Sequence, residues 1–368
     1  MPLYFDHNAT TPLLPEVVDA MLPYLTTHFG NPSSAHAFGR TAKAAVERAR
    51  EQVAALVDAS PEEVLFTSGG TEATALALRG TLREGDRHVV TTRVEHPATA
   101  RLVDALERQG LRVTRLGVQP SGLLAPDEVE RALSSSPTRW LSVIHAHNET
   151  GVLQPLAMLS ALTRRHGALL HADASQSAGK VPLSLVRDGV DLLTLAAHKL
   201  YGPKGVGALV VRRGVELTPQ QLGAGHERGR RAGTENVASI VGFGAACVAA
   251  KRDLAELSTR LLSLRARLER GLMNAVPGLV VACADAPRLP NTTFALFPGV
   301  RGADLLARTP EVAASTGSAC HDGSHDAPEV LVQLGVDPAL ARGAVRLTLG
   351  RSTTEQDVDD AIAALARA

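Results

Sequence analysis

Between residues 40 and 211 the chain alternates short β-rich runs with helical stretches, and this alternation constrains its fold more than any other feature. Strand candidates are 63–67, 88–92, 112–116, 140–145, 168–171, 192–195 and 207–211, with helical stretches at 40–57, 72–82, 98–109 and 126–134 among them. Such alternation predicts an α/β fold, with a mostly parallel or mixed sheet covered by helices. From about Gly233 the texture changes. Residues 237–275, rich in Ala, Leu, Arg and Glu, predict one nearly continuous helix. Strand-like runs at 279–282, 292–296 and 344–348 follow, then an amphipathic helix from Thr354. A domain boundary is expected inside the long helix, near residue 256. Residues 15–256 then form a large domain, and residues 1–14 and 257–368 a small one.

The composition narrows the function. The 38 Lys and Arg balance the 38 Asp and Glu, which argues against nucleic acid or an anionic membrane surface as the main partner. No apolar run approaches the roughly 20 residues of a membrane span. The start, MPLYFDHN, has no signal-peptide core, so a soluble, cytoplasmic protein is expected. Cys247, Cys283 and Cys320 are the only cysteines, and their wide spacing suits no disulfide framework, zinc ribbon or cysteine-ligated cluster.

In sheets of this kind, ligands gather at the C-terminal ends of the strands. Three groups stand there. Ser68-Gly69-Gly70-Thr71-Glu72 joins a strand to an alanine-rich helix, where free N–H groups attract phosphate. An ordinary strand-to-helix turn capped by Thr71 is the alternative. Asp173 ends one apolar run, and Lys199 follows another. An aspartate and a lysine at two strand mouths suit pyridoxal 5'-phosphate: the amine forms a Schiff base and the carboxylate keeps the pyridine nitrogen protonated. A capping aspartate and a solvated lysine are the plainer reading. The chain has only five lysines, Lys43, Lys180, Lys199, Lys204 and Lys251, so few can serve. His96, after Glu95, can stack on a ring or move protons, or else be a buried structural histidine. Gly202–Gly207 lacks the spacing of a nucleotide loop and leads into a strand, so it is set aside.

Residues 315–326 are polar and hold Cys320, flanked by His321. An exposed loop is expected there, and Cys320 is the one thiol placed to react. Reading His321, Asp322, His325 and Asp326 as metal ligands is set aside, because no regular element orients them and a metal would quench the thiolate.

Together these residues resemble the cysteine desulfurases of the NifS/IscS type, within the aspartate-aminotransferase-like pyridoxal phosphate fold (fold type I). The likeness runs through YFDHNATTP, GNPSSAHAFGR, FTSGGTEA, HNETGVLQP, HADASQSAGK, AAHKLYGPKGVGAL, GHERGRRAGTEN, STGSACHDGSHDAP and VRLTLGRSTTE. It implies a large domain with a mostly parallel seven-stranded sheet and a smaller α/β domain carrying the cysteine loop. It also implies conversion of L-cysteine to L-alanine, with sulfur passing to a Cys320 persulfide and on to an acceptor protein, as in iron–sulfur cluster assembly. Lys199 is then the Schiff-base lysine and the base for the substrate Cα proton. Asp173 pairs with the pyridine nitrogen, Gln176 with the ring oxygen, and His96 stacks on the ring. Gly70, Thr71 and His198 hold the phosphate, joined by Thr234 of the partner subunit, which implies a homodimer. Asn148 and Arg346 hold the substrate carboxylate.

Two positions depart from the resemblance. Ala196 stands where the family usually has a phosphate-binding serine, and His147 replaces a common asparagine. FTSGGTE, HNETG and the segment from SACH to LGRSTT also resemble selenocysteine lyases, which release selenium from L-selenocysteine on the same fold. A third reading is a non-catalytic sulfur-carrier subunit; Lys199, Asp173 and Cys320 argue against it.

Overall fold

A computed structural model describes residues 2–317 and 327–368. Cys320, with His321, Asp322, His325 and Asp326, lies outside the described residues. In chain order the strands are β1 (Leu3–Tyr4), β2 (Val64–Thr67), β3 (His88–Thr92), β4 (Arg112–Leu116), β5 (Trp140–Ile144), β6 (Leu169–Asp173), β7 (Leu192–Ala196), β8 (Gly207–Val211), β9 (Val280–Val281), β10 (Thr292–Leu296), β11 (Val312–Ala313) and β12 (Ala344–Thr348). The helices are α1 (Pro15–Thr26), α2 (Ala37–Leu56), α3 (Gly70–Gly80), α4 (Pro97–Arg108), α5 (Pro126–Ser134), α6 (Leu156–Arg165), α7 (Val237–Ala275), α8 (Gly302–Arg308), α9 (Glu329–Gln333), α10 (Pro338–Ala341) and α11 (Glu355–Arg367).

Seven strands form the central sheet in the order β2-β8-β7-β6-β5-β3-β4. The pairs from β4 through β7 are parallel, and β8 runs antiparallel to both β7 and β2. The expected mostly parallel seven-stranded sheet is therefore present. Successive residues serve opposite faces. Phe66, Leu193 and Val210 join a core with α1, α2, α6 and the first part of α7, whereas Leu65, Leu192 and Leu209 pack with α3. Because both faces are covered, β3, β5, β7 and β8 are buried along their whole length; their residues are mostly apolar, and the polar exceptions are His88, Ser142 and threonines such as Thr91 and Thr194.

The 39-residue α7 serves two cores. Its residues up to Ala250 pack against the large sheet. Leu261, Leu264, Leu268 and Leu272, one helical face, pack instead with Val345, Leu347, Val358 and Leu365. Phe5 belongs to this second core, and β1 pairs in parallel with β11. Strands β9, β10 and β12 form a separate antiparallel sheet beside it. The N-terminal segment thus runs along the second core before entering the first, and residues 6–11 pass between them.

Candidate active site

Four strand ends build the site. After β2, the chain turns through Ser68 and Gly69 into α3. Gly69 has φ +153°, with open space where a Cβ would stand. A Cβ on Gly207 would meet the Gly69 Cα at 2.8 Å, so glycine at the start of β8 lets this turn sit close on the sheet. Glu72 shapes the turn: its Oε2 accepts the Ser68 N–H at 2.8 Å, and both its oxygens accept from Arg231, at 2.8 and 3.2 Å. Thr71 is exposed in the first turn of α3.

Asp173 is the last residue of β6 and is buried; its Oδ1 accepts the Ser175 N–H at 2.9 Å. Lys199 ends a 3-10 turn directly after β7. Its Nζ donates to the carbonyls of Asn8 at 2.7 Å and Ala9 at 2.8 Å. Burial, then the charge of Arg346, lowers its pKa to about 8 against the opposing pull of Asp173 and Asp6. His198 bonds Thr10 Oγ1 through Nδ1 at 3.2 Å, and burial with the charge of Lys199 pushes its pKa down to about 4.

His96 caps α4, its Nδ1 accepting the Ala98 N–H at 3.1 Å. The ring is exposed, yet the protein packed around it removes enough water to lower its pKa; Asp173 opposes this shift and Lys199 adds to it. These mutual effects put His96, Asp173 and Lys199 in one electrostatic cluster. Beneath it, Glu95 accepts from Thr92 Oγ1 at 2.7 Å and Ile144 N at 2.9 Å through one oxygen. Its other oxygen is buried without a partner among the described residues. Burial raises its pKa to about 8, with Asp173 adding and the two bonds opposing.

Arg346, on β12, reaches the site from the second core. Its Nη2 donates to Asp6 at 2.7 Å and its Nη1 to the Asn148 carbonyl at 3.2 Å. Its Nε is buried without a partner among the described residues. His147 anchors the adjacent turn: its Nδ1 accepts the N–H groups of Glu149 and Thr150, at 3.2 and 3.3 Å. Gln176 is buried and donates to the Asn8 carbonyl at 2.8 Å. Thr234 is exposed and lines an open cavity with Ser68 and Arg231. Cys320 lies outside the described residues, which stop at Gly317, two residues after Ser315 pairs with Arg346. Burial pushes the Cys247 thiol up, and raises that of Cys283 to about 11.

Two residues, within YFDHNATTP and HADASQSAGK, had no role read from the sequence. Asn8 bonds Lys199, Gln176, Lys180, Asn148, Asn291, Thr292 and Thr348, joining both cores around the Lys199 amine. Ser175 brings its Oγ to 3.1 Å from where a Gly70 Cβ would be, beside the Ala196 methyl at 3.6 Å. The residues fit pyridoxal phosphate. The glycine turn and helix start leave room and N–H groups for a phosphate, and a buried aspartate stands near a lysine of lowered pKa.

The fold and site define a class: an α/β protein with a buried aspartate and a lysine at the carboxyl ends of adjacent parallel strands. The chain belongs to the aminotransferase class-V family, whose profile matches residues 3–360. It is 45% identical to a cysteine desulfurase IscS of Anaeromyxobacter sp. (strain Fw109-5), over 98% of this chain and 91% of the relative. It is 42% identical to a cysteine desulfurase of Mus musculus, over 97% of this chain and 79% of the relative. A NifS-like protein structure matches with a TM-score of 0.92 and 34% identity, covering 100% of this chain and 99% of that one. The structure of SspA in complex with cysteine matches with a TM-score of 0.83 and 32% identity, covering 94% and 98%. The architecture is therefore the aspartate-aminotransferase-like one. Among the described residues, no helix is long and apolar enough to cross a membrane.

Proposed function

We propose that this protein is a cysteine desulfurase, acting as a cytoplasmic homodimer, that converts L-cysteine to L-alanine and holds the sulfur as a Cys320 persulfide for an acceptor protein, as in iron–sulfur cluster assembly. The observation that carries the reading is the Lys199 amine, docked on two backbone carbonyls at the end of β7, beside Asp173 at the end of β6. The names of the relatives favour cysteine over selenocysteine as substrate.

Pyridoxal phosphate, when bound, supplies an electron sink for the substrate Cα–H bond. The protein does the rest. The Ser68–Thr71 turn and His198 hold the phosphate, with Thr234 reaching across from the partner subunit. His96 covers the ring, and Gln176 bonds the ring oxygen. Asp173 keeps a proton on the ring nitrogen. A neutral Lys199 amine spends its two N–H bonds on Asn8 and Ala9, which leaves its lone pair to take the Cα proton. Asn148 and Arg346 orient the substrate carboxylate. The Cys320 thiolate then attacks the substrate sulfur: an S–S bond forms, the Cβ–S bond breaks, and Cβ gains a proton, giving alanine and Cys320–S–SH. With both other thiols raised in pKa, Cys320 is the thiol suited to this step. We assign residues 15–256 to the large domain, and residues 1–14 and 257–368 to the small domain that brings Arg346 and Cys320 to the site.

Steady-state kinetics on L-cysteine and L-selenocysteine, with wild type and Cys320→Ala, test this reading. Wild type should form alanine and a persulfide from cysteine. Cys320→Ala should bind cofactor normally yet make alanine from cysteine only at background rate. Wild type that turns over selenocysteine but scarcely touches cysteine would make selenocysteine lyase the correct reading. A mutant as fast as wild type on cysteine would remove the persulfide from the mechanism.

A further inference from the structure

Two side-chain amides at the centre of the site have their orientations set by backbone carbonyls. Gln176 Nε2 donates to the Asn8 carbonyl at 2.8 Å. Asn8 Nδ2 donates to the Asn148 carbonyl at 3.2 Å and to Thr292 Oγ1 at 3.0 Å. A carbonyl only accepts, so each amide nitrogen is fixed where it stands, and each amide oxygen faces the other way. Both oxygens converge on Lys180. Its Nζ donates to Asn8 Oδ1 at 2.9 Å and to Gln176 Oε1 at 2.8 Å. Asn8 Oδ1 has a second donor in Asn291 Nδ2 at 3.2 Å.

We propose that Lys180 is a positioning residue: by satisfying both amide oxygens, it turns the Gln176 amide nitrogen toward the cofactor and holds the Asn8 carbonyl under the Lys199 amine. The inference rests on the assignment of Gln176 and Lys199 to pyridoxal phosphate made above. One N–H of Gln176 Nε2 is spent on Asn8, and the second stays available for the ring oxygen only while the amide keeps this orientation. The Asn8 carbonyl takes Gln176 and Lys199 together, so a turn of the Gln176 amide disturbs the Lys199 amine as well. Burial, then the charges of Lys199 and Arg346, keeps the Lys180 pKa well below that of an ordinary lysine. A neutral amine still has two N–H donors, the number these two oxygens need.

The test is a double-mutant cycle read by pyridoxal phosphate affinity of the full-length apoprotein, from fluorescence quenching and growth of the visible band. Lys180→Met keeps the length of the side chain and removes both donors. Its Kd for pyridoxal phosphate should rise about tenfold, equivalent to about 1.4 kcal/mol. In a Gln176→Ala background, the same change should cost no more than about twofold, because the Gln176 amide is gone and Asn8 Oδ1 keeps its second donor in Asn291. A Lys180→Met protein with wild-type affinity overturns the inference. So does a full tenfold loss in the Gln176→Ala background, which would mean that Lys180 does not act through the Gln176 amide. Should Lys180→Met not fold, Gln176→Glu serves instead: it keeps an acceptor for Lys180 but lacks the N–H donor. It should bind cofactor as weakly as Gln176→Ala, and wild-type binding by Gln176→Glu overturns the inference. A wild type that takes up no pyridoxal phosphate overturns the proposed function and this inference with it. A wild type that binds, with an unchanged Lys180→Met, overturns this inference alone.

Discussion

The Lys199 amine donates to the Asn8 carbonyl at 2.7 Å, across 191 residues of sequence. This contact fastens the Lys199 side chain, at the end of a large-sheet strand, to the N-terminal segment that runs along the second core. It leaves the amine buried and beside other charges, which is why its pKa falls to about 8.

Only a neutral amine condenses with an aldehyde. For a lysine at its ordinary pKa near 10.4, the neutral fraction is small below pH 9. For Lys199 it reaches one half at about pH 8. Apoprotein mixed with pyridoxal phosphate should therefore colour at a rate that rises through pH 7 and levels above about 8. Borohydride reduction and peptide mapping should place the label on Lys199. A midpoint near 10, or label on Lys180 or Lys204, would displace Lys199 from this role.

Ser175 and Ala196 both crowd the point where a Gly70 Cβ would stand. Only Ser175 offers a hydroxyl there. Ser175→Ala should weaken pyridoxal phosphate binding about ten- to a hundredfold, the value of one hydrogen bond to a charged group. Adding Ala196→Ser to that variant should recover most of the loss. Equal affinities for wild type and Ser175→Ala would take Ser175 out of the phosphate site.

Arg346 spends Nη2 on Asp6 and Nη1 on Asn148, but its buried Nε has no partner among the described residues. A carboxylate entering beside it can use that donor. Arg346→Lys keeps the charge and loses the planar fork, so the KM for L-cysteine should rise at least about tenfold, with a smaller change in kcat. Unchanged KM and kcat would place substrate binding elsewhere.

Glu95 has a folded pKa of about 8, against about 4.3 for an unfolded glutamate. Between these values the folded chain holds a proton that the unfolded chain has released. Its contribution is thus fully present below pH 4 and is lost as pH rises to about 8. Glu95→Gln stays uncharged throughout. In urea titrations of the apoproteins, the mutant should gain on wild type between pH 5 and 8.5, by on the order of a few kcal/mol. Parallel pH profiles would show that Glu95 ionises normally.

Arg50 and Glu227 form a buried bidentate pair, at 2.7 and 2.9 Å, and Glu227 also accepts the Phe66 N–H at 3.0 Å. The pair pins the segment that carries Thr234 to the edge strand β2, and holds Glu227 and Arg228 at φ +46° and +58°. Arg50→Ala leaves a buried carboxylate without its cation and should cost about 3–5 kcal/mol in urea unfolding. A loss below about 1 kcal/mol would mean that water reaches Glu227.

Much of this was legible in the chain itself. Strands buried on both faces are short runs rich in apolar and β-branched residues, so most strands of the central sheet stand out from their neighbours. Their predicted limits differ from the observed ones by only a few residues at 63–67, 140–145, 168–171 and 192–195. The helix Pro15–Thr26 is not legible: Pro23 lies inside it, and Val18, Leu22 and Leu25 are exposed. Asp173 and Lys199 stood out as candidates because one ends and the other follows a strand of the parallel sheet, where a fold of this kind opens its ligand site. The tertiary structure alone decided what surrounds them. Asn8 meets Thr292 and Thr348, Arg346 meets Asp6, and Arg50 meets Glu227 across 284, 340, 340 and 177 residues. Periodicity records which face of an element is buried, because burial recurs with each turn or pleat. A single polar contact between distant segments recurs nowhere, so it leaves no pattern in the sequence and exists only once both cores have closed around the N-terminal strand.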